Sequence, residues 1–370
     1  MEDDRYAFLV DWYDPQAELV RRYALVYYVI EGGRCEVEMI DLKTKRKFLK
    51  RSPYEDLKMR DLFVGSKVVV YARQLTIVGY ADEHTRKRFE KTRSRSLCLV
   101  KPDGVKHLGK ILTQLADAGF TLSNLRSMKL NERDASEVVG FGSAAHVASD
   151  VCVAVEVVGE EGVAQLRALA GPEDPAVARR ENPRSLRAQL GSSAEANAVH
   201  VSESAAEAER ELSLLFGDGA LGSARATTAT LDSCSCCVIR PHAVREGTAG
   251  AILDAILGQG FEVSAMQLFH LDKAAAEEFL EVYRGVLREY SRAVEELSSG
   301  PCIALEVRAE DAVATLREFA GPFDVEIAQH IRGATLRARF GHDRVRNAVH
   351  CTDLPEDGRL ECEYFFHILQ

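Results

Sequence analysis

The chain contains one stretch of itself twice. LCLVKPDGVKHLGKILTQLADAGFTLSNLRSMKL, starting at Leu97, aligns with CCVIRPHAVREGTAGAILDAILGQGFEVSAMQLFHL, starting at Cys236. Lys101 stands opposite Arg240 at an offset of 139 residues, and a two-residue insertion raises the offset to 141, pairing Gly119-Phe120 with Gly260-Phe261. By Cys152 and Cys302 it is 150, and it stays there through Arg167 and Arg317, Gly171-Pro172 and Gly321-Pro322, Arg187 and Arg337, and His200 and His350. The first copy is therefore nine residues shorter between 131 and 149. A duplication of this kind limits the fold to two versions of one unit, so the chain must be read unit by unit.

Within each copy the pattern runs strand, helix, strand, helix, strand, helix, strand. Residues 97–101 form an apolar run; 106–118 carry helical spacing at Ile111, Leu112, Leu115 and Ala118, with Gly119 closing the helix. Phe120 to Leu130 and Val151 to Val158 read as strands, and Val163 to Ala170 as a helix. A ferredoxin-like βαββαβ sandwich is the simplest packing of that order. Before the repeat, Tyr23 to Val29, Cys35 to Met39, Val68 to Val70 and Leu75 to Val78 alternate like strands, broken by Gly32-Gly33, Ser52-Pro53 and Gly65. The expected chain is α+β: a small antiparallel β domain of PH-like type at 1–90, then βαββαβ domains at 97–216 and 233–370. Polar residues 81–96 and the Gly, Ala, Ser and Thr of 217–232 read as linkers.

Charge is uneven along this order. Residues 1–96 hold 20 Lys and Arg against 16 Asp and Glu, whereas residues 97–370 hold 27 against 41. Much of the excess in the first part is the run Lys43, Lys45, Arg46, Lys47, Lys50 and Arg51, which reads equally as a solvated hairpin face or a docking surface for an acidic partner. The acidic remainder argues against nucleic acid as a partner. No run of about 18 apolar residues suggests membrane insertion, and the first residues lack the pattern of an export signal. Most of the nine cysteines sit in apolar runs and read as reduced core residues. Cys234, Cys236 and Cys237 cluster, but no second Cys or His pair completes a metal set, so no metal site is expected.

Each copy ends in the same four letters, Asn197-Ala-Val-His200 and Asn347-Ala-Val-His350, about ten residues after a Leu-Arg-Ala. A lone histidine in an apolar strand is usually a satisfied core residue. One that recurs with matched arginines is a candidate for chemistry, since packing alone does not demand charged residues at matched positions.

Lys101-Pro-Asp-Gly-Val, Gly-Pro with a second proline after it, Leu-Arg-Ala, and Asn-x-x-His followed by Ser-x-Ser together resemble the nucleoside diphosphate kinase family. The resemblance covers nearly all of 97–370. It implies that His200 and His350 accept and pass on a γ-phosphate, and that Lys101, Arg167 and Arg187, or Arg240, Arg317 and Arg337, hold the phosphates. It further implies that Asn197 and Asn347 bind ribose or phosphate, that Glu211 and Glu361 orient the imidazoles, that Ser202 sits beside His200, and that Mg²⁺ accompanies ATP or GTP if the sites are active. In the family, helices before the third strand supply aromatic residues to the nucleotide. Residues 131–149 contain no Tyr and only Phe141, with Glu173 near the place of an expected threonine. The second copy keeps the full length and offers Tyr283 and Tyr290 for the phosphate and the base.

Phe8-Leu-Val-Asp-Trp12-Tyr-Asp14, Arg22 to Tyr28, Phe48 to Arg51 and Gly65 to Arg73 resemble the doublet-microtubule domain of ciliary proteins. Joined to two kinase repeats, this arrangement resembles a ciliary subgroup of the same family. That implies a microtubule inner protein of the cilium or flagellum axoneme, with tubulin, neighbouring inner proteins and the γ-tubulin complex as partners, and with the centrosome or basal body as a further location. Trp12, Tyr27 and Tyr28 read as core aromatics. The reading is a scaffold with nucleotide-binding kinase-like domains; the alternative is a working nucleoside diphosphate kinase, and a third is a nucleotide sensor without turnover.

Overall fold

The computed structural model describes residues 4–15, 17–30, 34–71, 73–89 and 93–370, so the expected Gly32-Gly33 turn lies outside the described residues. The chain forms two compact units, residues 1–93 and 94–370.

The first unit is a six-stranded antiparallel sheet in the order β4-β3-β2-β1-β6-β5. Its strands are β1 (Asp4–Asp14), β2 (Leu19–Val29), β3 (Cys35–Asp41), β4 (Lys47–Pro53), β5 (Lys67–Val70) and β6 (Arg73–Tyr80). Alternation puts Tyr6, Phe8 and Val10 of β1 and Tyr23, Leu25 and Tyr27 of β2 into one core. Residues 83–89 are not a linker but a helix, Glu83–Phe89, that belongs to this unit. Its Phe89 packs edge-on against Tyr6 and Phe8, and Thr85 accepts the Ala7 N–H at 2.8 Å. Two inward residues were hidden in an otherwise charged stretch. The basic run lies on the β3–β4 hairpin, where Asp41 caps the turn by accepting the N–H groups of Lys43 and Thr44. Lys47 pairs with Glu38 and Arg51 with Glu36.

The second unit holds both repeats on one eight-stranded sheet, order β10-β7-β9-β8-β12-β13-β11-β14. Its strands are β7 (Arg93–Val100), β8 (Thr121–Met128), β9 (Cys152–Glu160), β10 (Val199–Val201), β11 (Cys234–Ile239), β12 (Glu262–Phe269), β13 (Cys302–Arg308) and β14 (Val349–Cys351). Each repeat contributes four strands in ferredoxin-like order, and the two halves mirror each other about β8 and β12. Those two strands share the register pair Gln267↔Arg126, and Ser127 Oγ accepts the Met266 N–H at 2.8 Å. Below them the helices Leu108–Asp117 and Ala249–Gly258 cross so closely that a Cβ on Gly250 would lie 2.5 Å from the Thr113 nitrogen. One hydrophobic core, from Val100 and Ile111 to Ile252 and Ile303, runs through both repeats.

The helix expected over 106–118 is Leu108–Asp117, preceded by a separate turn of helix, Pro102–Val105. Residues 217–232 pack rather than dangle: Ala224 in the helix Gly222–Arg225 is buried, and Ser127 bonds Thr228 at 2.8 Å.

The lid of the first repeat is present as two helices, Glu132–Val139 and Phe141–Val147, joined at Gly140. The second repeat has Lys273–Phe279 and Tyr290–Leu297, separated by the turn Glu281–Tyr283 and a loop. The nine-residue difference therefore removes the connection between the helices and not the helices themselves.

Candidate functional site

Both histidines lie on three-residue edge strands that seal the ends of the eight-stranded sheet, His200 opposite Leu99 and His350 opposite Val238. His200 Nε2 is 2.7 Å from Glu211 Oε1, and His350 Nε2 is 2.8 Å from Glu361 Oε2. The carboxylates come from the helices Ala205–Phe216 and Asp357–Glu363. Each is steadied in turn by a hydroxyl: Ser202 donates to Glu211 at 2.6 Å and Thr352 to Glu361 at 2.9 Å. A carboxylate at Nε2 keeps the proton there, which leaves Nδ1 with the lone pair. In both repeats the free nucleophilic nitrogen is Nδ1.

The residue two before each histidine is strained. Ala198 and Ala348 have φ of 68° and 70°, and the N–H of the following valine bonds back to the asparagine carbonyl at 2.9 Å, a γ-turn in the rarer hand. The surroundings hold both polar groups of that alanine. Its carbonyl accepts the Lys101 N–H in one repeat and the Arg240 N–H in the other, each at 2.9 Å. Its N–H donates to Asp103 Oδ2 at 2.9 Å, or to His242 Nε2 at 3.3 Å.

Arg187 and Arg337 are buried and aimed by the backbone. Each donates from Nη1 to a glycine carbonyl, Gly171 or Gly321, at 2.8 Å, and from Nε to the carbonyl of the residue before the histidine. Burial pushes the Arg187 value down from the ordinary one. Lys101 is also buried, its Nζ donating to the Glu195 carbonyl at 3.1 Å; burial first, then the Arg187 charge, lowers its value. Arg167 is exposed and donates to the Glu203 carbonyl, whereas Arg317 is 3.3 Å from Asp353. Asn197 and Asn347 give their Nδ2 to the carbonyls of Glu173 and Phe323, and each keeps a buried Oδ1 with no partner.

Around this shared frame the repeats part ways. In the second, a cleft of about 520 Å³ is lined by His350, Arg240, Arg317, Arg337, Tyr283 and Phe323 among others. Phe279 meets the His350 ring edge-on at 4.9 Å, and Tyr283 at 6.2 Å. The Tyr283 hydroxyl donates to Asp353 at 2.6 Å; burial and that carboxylate raise its value. Tyr290 does not reach the cleft. It packs at the start of its helix, its hydroxyl donating to the Glu277 carbonyl and Arg284 lying over its ring. Arg240 is buried against Glu296 at 3.4 Å.

In the first repeat an open hollow is lined by Arg167, Arg187, Gly171, Pro172 and Glu173, while His200 and Lys101 lie outside its lining. Phe141, the one aromatic of the short lid, is 91% exposed.

Sequence reasoning missed Phe323 and Phe279. Phe323 stands where the first repeat has Glu173, and the Arg337 guanidinium lies over its ring at 5.6 Å. The aligned repeats carry that signal, because Glu173 and Phe323 stand at matched positions after Gly171-Pro172 and Gly321-Pro322. Sequence also did not bring Cys362 and Glu306 to Cys234, which the fold does. The Glu306 oxygens are taken up by Thr230, Leu231 and Ser264. All nine cysteines are free and buried.

Residues 1–91 match the model described as the nucleoside diphosphate kinase 7 N-terminal PH domain, and residues 94–221 and 233–369 match that of nucleoside diphosphate kinase. The Rattus norvegicus protein called nucleoside diphosphate kinase homolog 7 is 44% identical over 381 residues, covering 100% of this chain and 94% of its own. Its Mus musculus namesake is 43% identical over the same span. A nucleoside diphosphate kinase of Aquifex aeolicus (strain VF5) is 35% identical over 133 residues, 36% of this chain and 93% of its own. With kinase matches over both repeats, a PH-domain match before them and relatives similar from end to end, the chain belongs to the nucleoside diphosphate kinase family.

Proposed function

We propose that the chain is a scaffold of the ciliary or flagellar doublet microtubule whose kinase-like domains bind nucleotide, chiefly at the second repeat. The observation that carries the nucleotide reading is the second cleft, in which four arginines, Arg240, Arg317, Arg332 and Arg337, and the rings of Tyr283 and Phe323 line a space shared with His350, whose Nε2 is taken by Glu361 so that Nδ1 is left for a ligand. The unpartnered Asn347 Oδ1 adds a buried acceptor suited to a ribose hydroxyl. The scaffold reading is supported by the resemblance of the first unit to doublet-microtubule domains. It would place the protein against tubulin and neighbouring inner proteins in the lumen of the axonemal doublet microtubule, with the γ-tubulin complex and the centrosome or basal body as further sites.

The residues fit a nucleotide that arrives with Mg²⁺ on its phosphates, where the ion offsets part of their charge. The carboxylates lining the cleft are Asp353 and Glu318, and Asp353 is already engaged by Tyr283 and Arg317.

One observation favours turnover as a second reading, namely that Nε2 of each histidine is held by a buried or half-buried glutamate. His350 Nδ1 would attack the γ-phosphorus as the bond to the β–γ bridging oxygen breaks and the diphosphate leaves. Glu361 would stabilise the cationic phosphoimidazole through Nε2–H, and a second diphosphate would reverse the step.

The test uses the full chain with γ-labelled ATP, beside His200→Ala and His350→Ala. Bound ATP should be retained in all three proteins, and on the turnover reading acid-labile label should survive the first substitution and disappear with the second. All three proteins should pellet with polymerised tubulin. Label that depends on His200 alone would reverse the assignment of the competent site, no nucleotide binding at all would sink the nucleotide reading, and failure to pellet would sink the scaffold reading.

A further inference from the structure

The second repeat replaces Asp103 with His242 and His146 with Glu296. In the first repeat His146 Nε2 lies 2.8 Å from Asp103 Oδ1, and the other oxygen of Asp103 holds the N–H of the strained Ala198. In the second, His242 Nδ1 lies 2.8 Å from Glu296 Oε1, and His242 Nε2 holds the N–H of the strained Ala348. Acid and base have changed places, while the bond to the alanine is kept.

We propose that His242 and Glu296 are the positioning pair of the second repeat's nucleophile, the charge-exchanged counterpart of Asp103 and His146. This rests on the reading of His350 as the phosphate acceptor. Hydrogen-bond direction assigns the roles. Ala348 N–H can only donate, so His242 Nε2 must accept, and its proton must then sit on Nδ1. Only an acceptor at that second nitrogen can fix this tautomer, and Glu296 supplies it, donating nothing and accepting also from the His242 N–H at 3.2 Å. Both partners are more than nine-tenths buried, so water cannot substitute for either. An alanine in the left-handed region persists only where its neighbours over-determine it, and this one lies two residues before His350. Releasing its N–H lets the γ-turn relax and moves the imidazole away from Glu361.

The exchange also has a consequence that the first repeat escapes. Glu296 lies 3.4 Å from Arg240, so the carboxylate that locks His242 also tethers the repeat's phosphate cation, whereas Lys101 donates to a backbone carbonyl alone.

The test measures phosphorylation of His350 in the full chain carrying His200→Ala, with phosphoramidate as donor because it needs no nucleotide site, and with γ-labelled ATP in parallel. His242→Asp and Glu296→His should each slow labelling about tenfold or more, as expected for a displaced nucleophile. The double variant, which rebuilds the first repeat's arrangement, should recover to within about threefold of the parent. His242→Gln, which puts an acceptor oxygen near the place of Nε2, should retain labelling, and His242→Leu should lose it, at equal melting temperature. A double variant no better than its worse single parent, or Leu labelling as well as Gln, would overturn the proposal. No label on His350 from either donor would overturn it too, since there would be no nucleophile to position. Label from phosphoramidate but not from ATP would instead count against the nucleotide reading and leave the pair in place.

Discussion

His200 and His350 share the same machinery and differ in what covers them. Each has its Nε2 on a helix-borne glutamate, a hydroxyl behind that glutamate, a γ-turn before it and an arginine aimed by a glycine carbonyl. Yet the His200 side chain is 20% exposed and that of His350 only 6%. Phe279 and Tyr283 meet the second histidine and Phe323 lines its cleft, whereas the first repeat has the shorter lid connection and carries Glu173 at the place of Phe323. The histidine, glutamate and arginine bonds are woven into strands and core helices, where losing one partner strands a buried polar group at a cost of about 1–3 kcal/mol. The lid is a surface connection, and shortening it strands nothing. The frame therefore survives in both copies while the binding surface survives in one.

Separating the two copies should have the greatest consequence. Gly250→Ala would drive a Cβ into the Thr113 nitrogen and the Gly109 carbonyl, backbone atoms that cannot swing aside. We expect a loss of about 1–3 kcal/mol or more, seen as an earlier urea transition and an uncoupling of the two repeats; an unchanged transition would mean that the helices do not bind the halves together.

A smaller effect sharpens the contrast between clefts. Phe323→Glu should weaken nucleotide binding at the second repeat by about ten- to a hundredfold, the loss of one stacking surface, and Glu173→Phe should strengthen it at the first. Titration with a fluorescent nucleotide reads both, and equal affinities before and after would remove Phe323 from the site.

The smallest expected effect is a difference in pH dependence. Burial raises Glu156 above the ordinary 4.5, against the opposing pull of Arg95. Burial also acts to raise Glu296, but the His242 hydrogen bond and the Arg240 charge outweigh it, and its value is lowered. The folded chain thus binds the Glu156 proton more readily than the unfolded chain, so that group's stabilisation is present below about pH 4.5 and is lost as pH rises through the raised value. For Glu296 the sign is opposite: its stabilisation is full above about pH 4.5 and is lost as pH falls through the lowered value. Denaturant melts across pH should lose the alkaline-side decline in Glu156→Gln and the acid-side decline in Glu296→Gln. The same slope change in both variants would contradict the assignment.

How much was legible beforehand follows the same division. The repeat, the βαββαβ order and the histidine frame could be read because each depends on residues close in sequence or matched between copies. The helix Glu83–Phe89 could not, since its two inward residues, Thr85 and Phe89, are outnumbered by charges and find their partners on a strand some eighty residues earlier. Tyr290 looked suited to a stacking role, and its helix turned it into the lid core.

The sequence alone determined that two copies of one unit follow a β domain, and that each copy ends its sheet in a histidine with arginines to match. Periodicity and spacing act along the chain and need no partner from afar. Only the tertiary structure decided that the copies share one sheet and one core, that the nine-residue difference lies in a lid connection, and that His242 and Glu296 exchange the roles of Asp103 and His146. Those outcomes depend on residues tens of positions apart being buried together, where low dielectric and the demand for a hydrogen-bond partner select which pairs can meet.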